Sequence, residues 1–588
     1  MKHPLHIPIE NKVLHKIVSR FTRLDAMKEI YDDWLNEGDK TIDNQGAALL
    51  DFGLSHMNIN IDWAQGDKLA AIPQSGPLVI VANHPLGGLE GMLLARELIK
   101  IRPDLKVLTN ELLLRFPEFN DIFIGVNVLN DNQAQGNASG IRIASKHLSN
   151  QGAILIFPAG TVSELDYKQN KISDKKWNNI AARLVRKYQC PVVPFFINEK
   201  NPFWFYLSGL IHKRLRTALL ARAMISKKDS SVEIVVGDVV PISEIKTLDS
   251  VIKVTNYLRL CCEVLSTTEQ KPEFNIVAGE TIKQDVKQLE LVEQLHKLEP
   301  FKVIQKGDFS VYCAPYAELG CVMEQIAICR EKSFRAVNEG TGKELDNDHF
   351  DSCYSHLWVW DDAAGKLVGG YRICKVDEII EQHGIENLYS NSLYHFSPEF
   401  IENLEGAVEV GRSFVSTEYQ RHSKVLDLLW RGIGGYMVNN PQYHTLFGCV
   451  SVSKEYSGLA KALLVDSLLK HFNAKDNILR SVKPKQPHNV VDKPWSDGMI
   501  AHLSNVPIIN KLLGRIDSGK TIPMLIRHYL SLNGRFASFT VNANFNDSLD
   551  GLIIVDLRQT PQKYLSRYLG REGAEAFLYK WDVYETVA

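Results

Sequence analysis

The sequence contains no apolar run approaching the roughly 20 residues that a membrane-crossing helix needs, so the chain is expected not to span a bilayer. Its first stretch, MKHPLHIPIENKVLHKIVSRF, alternates charged and apolar residues too closely to form the apolar core of a secretory signal. Nine cysteines occur with no CxxC pair, only Cys261 and Cys262 being adjacent. An odd, scattered set of thiols excludes a disulfide framework and points to reduced cysteines in a cytosol, with no metal centre expected. Charge of one sign is also lacking: the formal net charge is -2, which excludes a strongly basic nucleic-acid binder. No internal repeat and no low-complexity tract occurs.

What is present is ordinary globular composition, 45% hydrophobic and 23% charged, over 588 residues. That length is too great for one core, and at least two domains are expected. From Pro77 to Leu265 apolar runs (PLVIVAN, AILIFPAG, PVVPFFIN, VEIVVGDVV) alternate with helical patterns, the signature of an α/β layer. The residues before it read as helical. Between Ser266 and Pro300 the text turns polar, and a second α/β set follows, with strands HLWVWDD, KLVGGYRI, GAVEVGRSFVS and TLFGCVS. The expected division is therefore a domain over 1–265, a linker over 266–300 and a domain over 301–588.

In VIVANHPLGGLEGMLLARELI, His84 ends an apolar strand and Glu90 starts a helix. A neutral imidazole can take a proton from a hydroxyl when a carboxylate holds its tautomer and stabilises the imidazolium. Residues six apart on one helix face away from each other, so the two can meet only across a turn, which Pro85, Gly87 and Gly88 permit. Strand capping by His84 and an acidic helix start at Glu90 account for the same pattern without chemistry. The blocks NHPLGGLEG, IFPAGTVS and CPVVPFFI, in this order, resemble the glycerophosphate acyltransferase superfamily, in the branch of ornithine-lipid O-acyltransferases and haemolysin-like proteins. The resemblance implies that His84 and Glu90 form the dyad activating an acceptor hydroxyl, although the family usually places an Asp after four residues. In its third block, Phe-Pro-Glu-Gly-Thr-Arg-Ser, the Glu and Arg are replaced here by Ala159 and Val162, while Gly160 and Thr161 are retained for substrate binding. Losing that cation argues against a phosphate-bearing acceptor and for a lyso-lipid without phosphate. Arg142 and Trp177 stand at places that would line the acceptor, although helix-surface solvation and core packing account for them more readily.

Farther on come Arg330 and Phe334 in CREKSFRAVNEG, Asp348 and Asp351 in DNDHFDSC, Arg372 in GGYRI, and Glu409 and Arg412 in VEVGRSF. Singly these are solvated charges or ion pairs. In this order they resemble N-acylhomoserine lactone synthases and, more fully, ornithine N-acyltransferases, relatives of the N-acetyltransferase fold. The resemblance implies an amine attacking a thioester, with Glu409 as base, an oxyanion held by backbone N–H groups of splayed strands, and the arginines and aspartates binding substrate. QRHSKV, at 420–425, has neither glycine of the loop that holds the coenzyme A pyrophosphate. The implied donor is therefore acyl carrier protein, with no bound cofactor, and Arg421, Lys424 and Arg431 supply positive charge for it.

NPFWFYLSGLIHKRLRTALLARAMISKK, 201–228, sets Phe203, Trp204, Phe205 and Tyr206 beside Lys213, Arg214, Arg216, Arg222, Lys227 and Lys228. Such a stretch suits a helix lying on an anionic leaflet, or an internal helix with an aromatic core face. The fold class expected is α/β in two domains: a glycerophosphate-acyltransferase-like α/β domain, then an N-acetyltransferase-like mixed-sheet domain. Their pairing resembles the bifunctional ornithine lipid synthases. It implies N-acylation of ornithine by 3-hydroxyacyl carrier protein, then O-acylation of the lyso-lipid hydroxyl, at the inner face of the cytoplasmic membrane. Two alternatives stay open: the same chemistry on glycine or another amino acid, and a membrane-surface, haemolysin-like protein without catalysis.

Overall fold

The computed structural model describes residues 3–5, 12–126, 138–166, 171–211, 213–267, 279–404, 406–422, 424–490 and 493–581. The chain divides into two compact units, Met1–Thr268 with Pro494–Ile508, and Glu269–Lys493 with Ile509–Ala588. The short segment 494–508 thus joins the first unit, although it lies inside the text of the second. Within the stretch expected as linker, 266–300, the helix Gln288–Lys297 buries Leu291 and Leu295 in the core of the second unit; residues 268–278 lie outside the described set.

The first unit holds β1 (Asn60–Ala64), β2 (Leu78–Ala82), β3 (Lys106–Asn110), β4 (Phe123–Val126) and β5 (Ala153–Ile156), then the hairpin β6 (Glu164–Asp166) and β7 (Lys171–Ser173), then β8 (Val192–Ile197) and β9 (Ser231–Val236). Its main sheet has the order β1-β9-β8-β2-β5-β3-β4 and is parallel except for the β8–β9 pair. β2 lies at the centre, paired on both sides, and all five of its residues are buried. That explains a strand reading LVIVA with no polar alternation. The residue after β2 therefore emerges at the carboxyl end of a central parallel strand, where α/β folds place ligands.

The second unit holds β10 (Lys302–Lys306), β11 (Phe309–Pro315), β12 (Ser355–Asp361), β13 (Lys366–Lys375), β14 (Tyr394–Phe396), β15 (Ala407–Val415), β16 (Thr445–Val452), β17 (Val482–Pro484), β18 (Arg535–Asn542) and β19 (Ser548–Asp556). Eight of them form a mixed sheet, β10-β11-β12-β13-β15-β16-β19-β18, and β14 pairs with β17. β15 and β16 run parallel, paired only from Ala407–Glu409 to Thr445–Phe447. Gly448 is required at the point of parting: a Cβ there would lie 1.9 Å from Val410 O. Past it, Arg412 takes φ +48° at a register shift against β13, a bulge that turns β15 away from β16.

Candidate active sites

In the first unit β2 leads through Asn83 and His84 into the helix Gly88–Ile101. Gly87, at φ +94°, makes the turn, and a Cβ on it would stand 2.6 Å from Leu220 Cδ2. Glu90 Oε1 accepts from the backbone N–H of Leu86 and Gly87 at 3.1 and 3.0 Å, closing the first turn of the helix. The same oxygen lies 2.8 Å from His84 Nδ1, so the turn brings the two residues together. Glu90 is wholly buried, whereas the His84 side chain keeps 18% of its surface exposed and lies beside Phe157, ring centroids 4.8 Å apart. Burial by itself pushes the imidazole down, but the Glu90 carboxylate, helped by Asp174, outweighs it and holds His84 above the usual histidine range.

The turn is held by residues distant in sequence. Asp174 is the centre of this shell: its Oδ1 accepts from His84 N at 3.1 Å and Ser163 Oγ at 2.6 Å, and its Oδ2 accepts from Trp177 Nε1 at 3.0 Å. Asn83 exchanges two hydrogen bonds with Ile197, and Asn201 Nδ2 donates to Pro85 O at 2.8 Å. Ser163 N donates to His84 O, joining the third block to the turn. Gly160 sits at φ +68° beside Thr161, whose buried Oγ1 has no hydrogen-bond partner among the described residues. Trp177 is buried and tied to Asp174. Arg142 is exposed on the helix Ala138–Ser149.

In the second unit the predicted charges converge. Arg330 Nη1 donates to Asp351 Oδ1 at 2.8 Å, Arg372 Nη1 reaches both Asp348 and Asp351, and Arg412 Nη2 donates to Asp348 Oδ2 at 3.0 Å. Asp346, which sequence reasoning passed over, lies 3.5 Å from Arg412 Nη1. Three arginines thus face three aspartates. Burial raises the carboxyls of Asp348 and Asp351, but the arginines more than reverse it and hold both below the usual range. His356 completes the group, its Nδ1 3.2 Å from Arg330 Nη2. Burial and Arg330 drive it down to about 3, so it is neutral. Phe334 packs edge-on against Phe545, centroids 4.9 Å apart.

Glu409 is buried. Its Oε1 accepts from Ser390 N at 2.8 Å; its Oε2 accepts from Tyr389 N at 3.2 Å and from the Tyr354 hydroxyl. The Arg372 guanidinium lies over Tyr354 and Tyr389, 5.0 and 5.1 Å from their ring centroids. Among the cations expected to meet a carrier, Arg421 and Lys424 are exposed, while Arg431 is paired with Asp427. In the aromatic stretch, Phe205 and Tyr206 are buried, Phe203 is exposed, and Arg222 stacks on Trp204 and on Phe21; the side chains of Lys213 and Arg214 lie outside the described set. No helix among the described residues is long and apolar enough to cross a membrane, and none of them cluster as a metal site.

Residues 62–268 match a family of acyltransferases, and residues 329–431 match the acetyltransferase (GNAT) domain. Among curated relatives, a glycine N(alpha)-acyltransferase of Phocaeicola vulgatus is 30% identical over 46% of this chain and 86% of its own length. An L-ornithine N(alpha)-acyltransferase of Agrobacterium fabrum is 26% identical over 41% of this chain and 77% of its own. A lyso-glycine lipid O-acyltransferase of Phocaeicola vulgatus is 23% identical over 39% of this chain and 81% of its own.

Proposed function

Because this chain belongs to the acyltransferases, in the family of the glycine N(alpha)-acyltransferase above and with the two-domain arrangement of a bifunctional ornithine lipid synthase, we propose that it builds an aminolipid in two acyl transfers. The second unit transfers a 3-hydroxyacyl group from acyl carrier protein to the α-amine of ornithine. The first unit then esterifies the 3-hydroxyl of that lyso-lipid. The observation carrying this reading is that two acyltransferase matches occupy separate stretches of one polypeptide, which keeps a poorly soluble intermediate near the second site.

In the O-acyl step His84, with Nδ1 against Glu90, presents Nε2 to the lyso-lipid hydroxyl. The oxygen attacks the thioester carbonyl as its proton passes to the imidazole; the C–S bond then breaks and the thiolate leaves with that proton. In the N-acyl step the backbone N–H groups released where β15 and β16 part receive the oxyanion, and the network of Glu409, Arg330, Arg372, Arg412, Asp348 and Asp351 shapes the amino-acid end. With neither glycine at 420–425, a carrier protein suits the donor role better than free coenzyme A. Lipid product, exposed Phe203 and the Arg222–Trp204 stack support work at the inner face of the cytoplasmic membrane without a span.

Glycine is a second reading of the acceptor, favoured by the 30% identity to the glycine enzyme. Expression in a host without aminolipids, fed labelled ornithine or glycine, separates the two by lipid mass. Appearance of neither lipid would overturn the proposal and favour a protein that only binds membranes.

Asp174→Asn tests the shell around His84. Because Asp174 contributes to raising His84, the acidic limb of O-acylation should move to lower pH. The rate at the plateau should drop by up to about 100-fold as the turn loses alignment. Unchanged pH and rate profiles with supplied lyso-lipid would remove Asp174 from the site.

A further inference from the structure

An amino acid arrives at neutral pH as an ammonium, and it must lose a proton before its nitrogen can attack a thioester. Glu409 is poorly placed to receive it, since both of its oxygens are engaged by three donors. A second buried carboxyl stands differently. Ser333, on the helix Cys321–Arg335, donates through Oγ to Val415 O on β15 at 3.0 Å, and Glu339 Oε2 accepts from Ser451 Oγ on β16 at 2.9 Å. The segment 333–339 therefore bridges the two strands beyond the point where they part.

Its loop is fixed. Glu339 N donates to Phe334 O, Asn338 Nδ2 to Glu455 Oε1 and Asn546 Nδ2 to Asn338 O. Glu339 itself is 6% exposed, and the Ser451 bond is the one hydrogen bond its carboxyl receives among the described residues. The charged groups facing it are Asp550 on β19, Lys461 on the helix Gly458–His471 and Glu455 before that helix. Burial, then Asp550 and Glu455, outweigh Ser451 and Lys461 and push the carboxyl up to about 8. A base so poised matches the task of deprotonating an amine near neutrality.

We infer that Glu339 is the general base of the N-acyl transfer, taking one proton from the substrate ammonium in the opening between β15 and β16. The amine nitrogen then attacks the thioester carbon and forms the C–N bond. The C–S bond breaks, the nitrogen's second proton goes to the departing thiolate, and Glu339 releases its own proton to solvent. This assignment rests on the N-acyl transfer proposed above.

The test uses the full chain, a 3-hydroxyacyl carrier protein thioester and whichever of ornithine or glycine the wild type accepts, with N-acyl product measured from pH 6 to 10. Glu339→Gln keeps an oxygen for Ser451, and its rate should fall about 100-fold with little change in KM for the carrier thioester. Ser451→Ala removes the donor that lowers Glu339, so the limb on which rate climbs with pH should move to higher pH. A limb set by the substrate amine's own ionisation would stay in place. A Glu339→Gln rate within about threefold of wild type, or an unmoved limb in Ser451→Ala, overturns the assignment. A wild-type chain forming no N-acyl product overturns the underlying reading instead, and this assignment with it.

Discussion

His84→Ala is expected to stop the second acylation while the first continues, so that N-acylated lyso-lipid accumulates and diacylated lipid disappears. Removing a general base of this kind lowers a rate on the order of 1,000-fold. The expectation follows from the 2.8 Å approach of Nδ1 to Glu90 Oε1 and the partial exposure of the imidazole beside a wholly buried carboxylate. The acid–base form matters as well. His84 is held above the ordinary histidine range, and the base must be neutral, so O-acylation should rise with pH through that elevated value. For stability the sign is opposite: the favourable imidazolium–carboxylate pairing is fully present below the unfolded histidine pKa and is lost as pH rises through the folded one. Lipid mass profiles of an expressing host measure the first effect. Normal diacylated lipid from His84→Ala would remove the first unit's assigned site.

The strand–turn–helix at 78–101 was legible because it is local. An uninterrupted LVIVA run has the pattern of a buried parallel strand, two glycines permit the turn, and an acidic residue at the third helical position belongs to a helix start. The shell that holds it was not legible. Asp174 is 90 residues from His84, and Asn83 and Ile197 are 114 apart; each is an ordinary polar or apolar residue until the sheet order brings it to the turn. Trp177 could be read as lining or as core, and its bond to Asp174 makes it neither a bare core residue nor a free lining one.

In the second unit the polar residues were found but not how they pair. Spacing shows that Arg330, Asp348, Asp351, Arg372 and Arg412 recur in order; only the mixed sheet shows that the cations and acids face each other, with Asp346 as the unrecognised sixth member. Glu339 lies within CREKSFRAVNEG and carries no signal of its own there, because its significance comes from Ser451, 112 residues away. The aromatic stretch at 203–206 stayed open for another reason. An amphipathic pattern reports which residues avoid water, not whether lipid or protein covers them. Phe205 and Tyr206 pack with Val162, Leu219 and Ala223, whereas Phe203 stays outside.

Glu409→Ala is expected to abolish both lipids, since without N-acyl product the first unit has nothing to esterify. Its cause would be loss of architecture around the amino-acid end as much as loss of a carboxylate. Two buried donors, Tyr354 Oη and Ser390 N, would lose their acceptor, and Tyr389 N would keep only the Tyr354 hydroxyl; each full loss costs about 1–3 kcal/mol. The segment at Tyr389 also covers the guanidinium groups of Arg372 and Arg412, 5.1 and 5.4 Å from its ring, so its release would loosen the balanced Arg–Asp network. Melting of the second unit should therefore fall together with N-acylation, while O-acylation of supplied lyso-lipid should persist, because His84 and Glu90 belong to the other unit. Glu409→Gln separates the two contributions: the amide oxygen can still serve Ser390 N, but its nitrogen would meet donors on the other side, leaving stability between the wild type and the alanine variant. A Glu409→Ala chain that melts normally and makes N-acyl lipid at the wild-type rate would show that this buried carboxylate organises nothing the reaction needs.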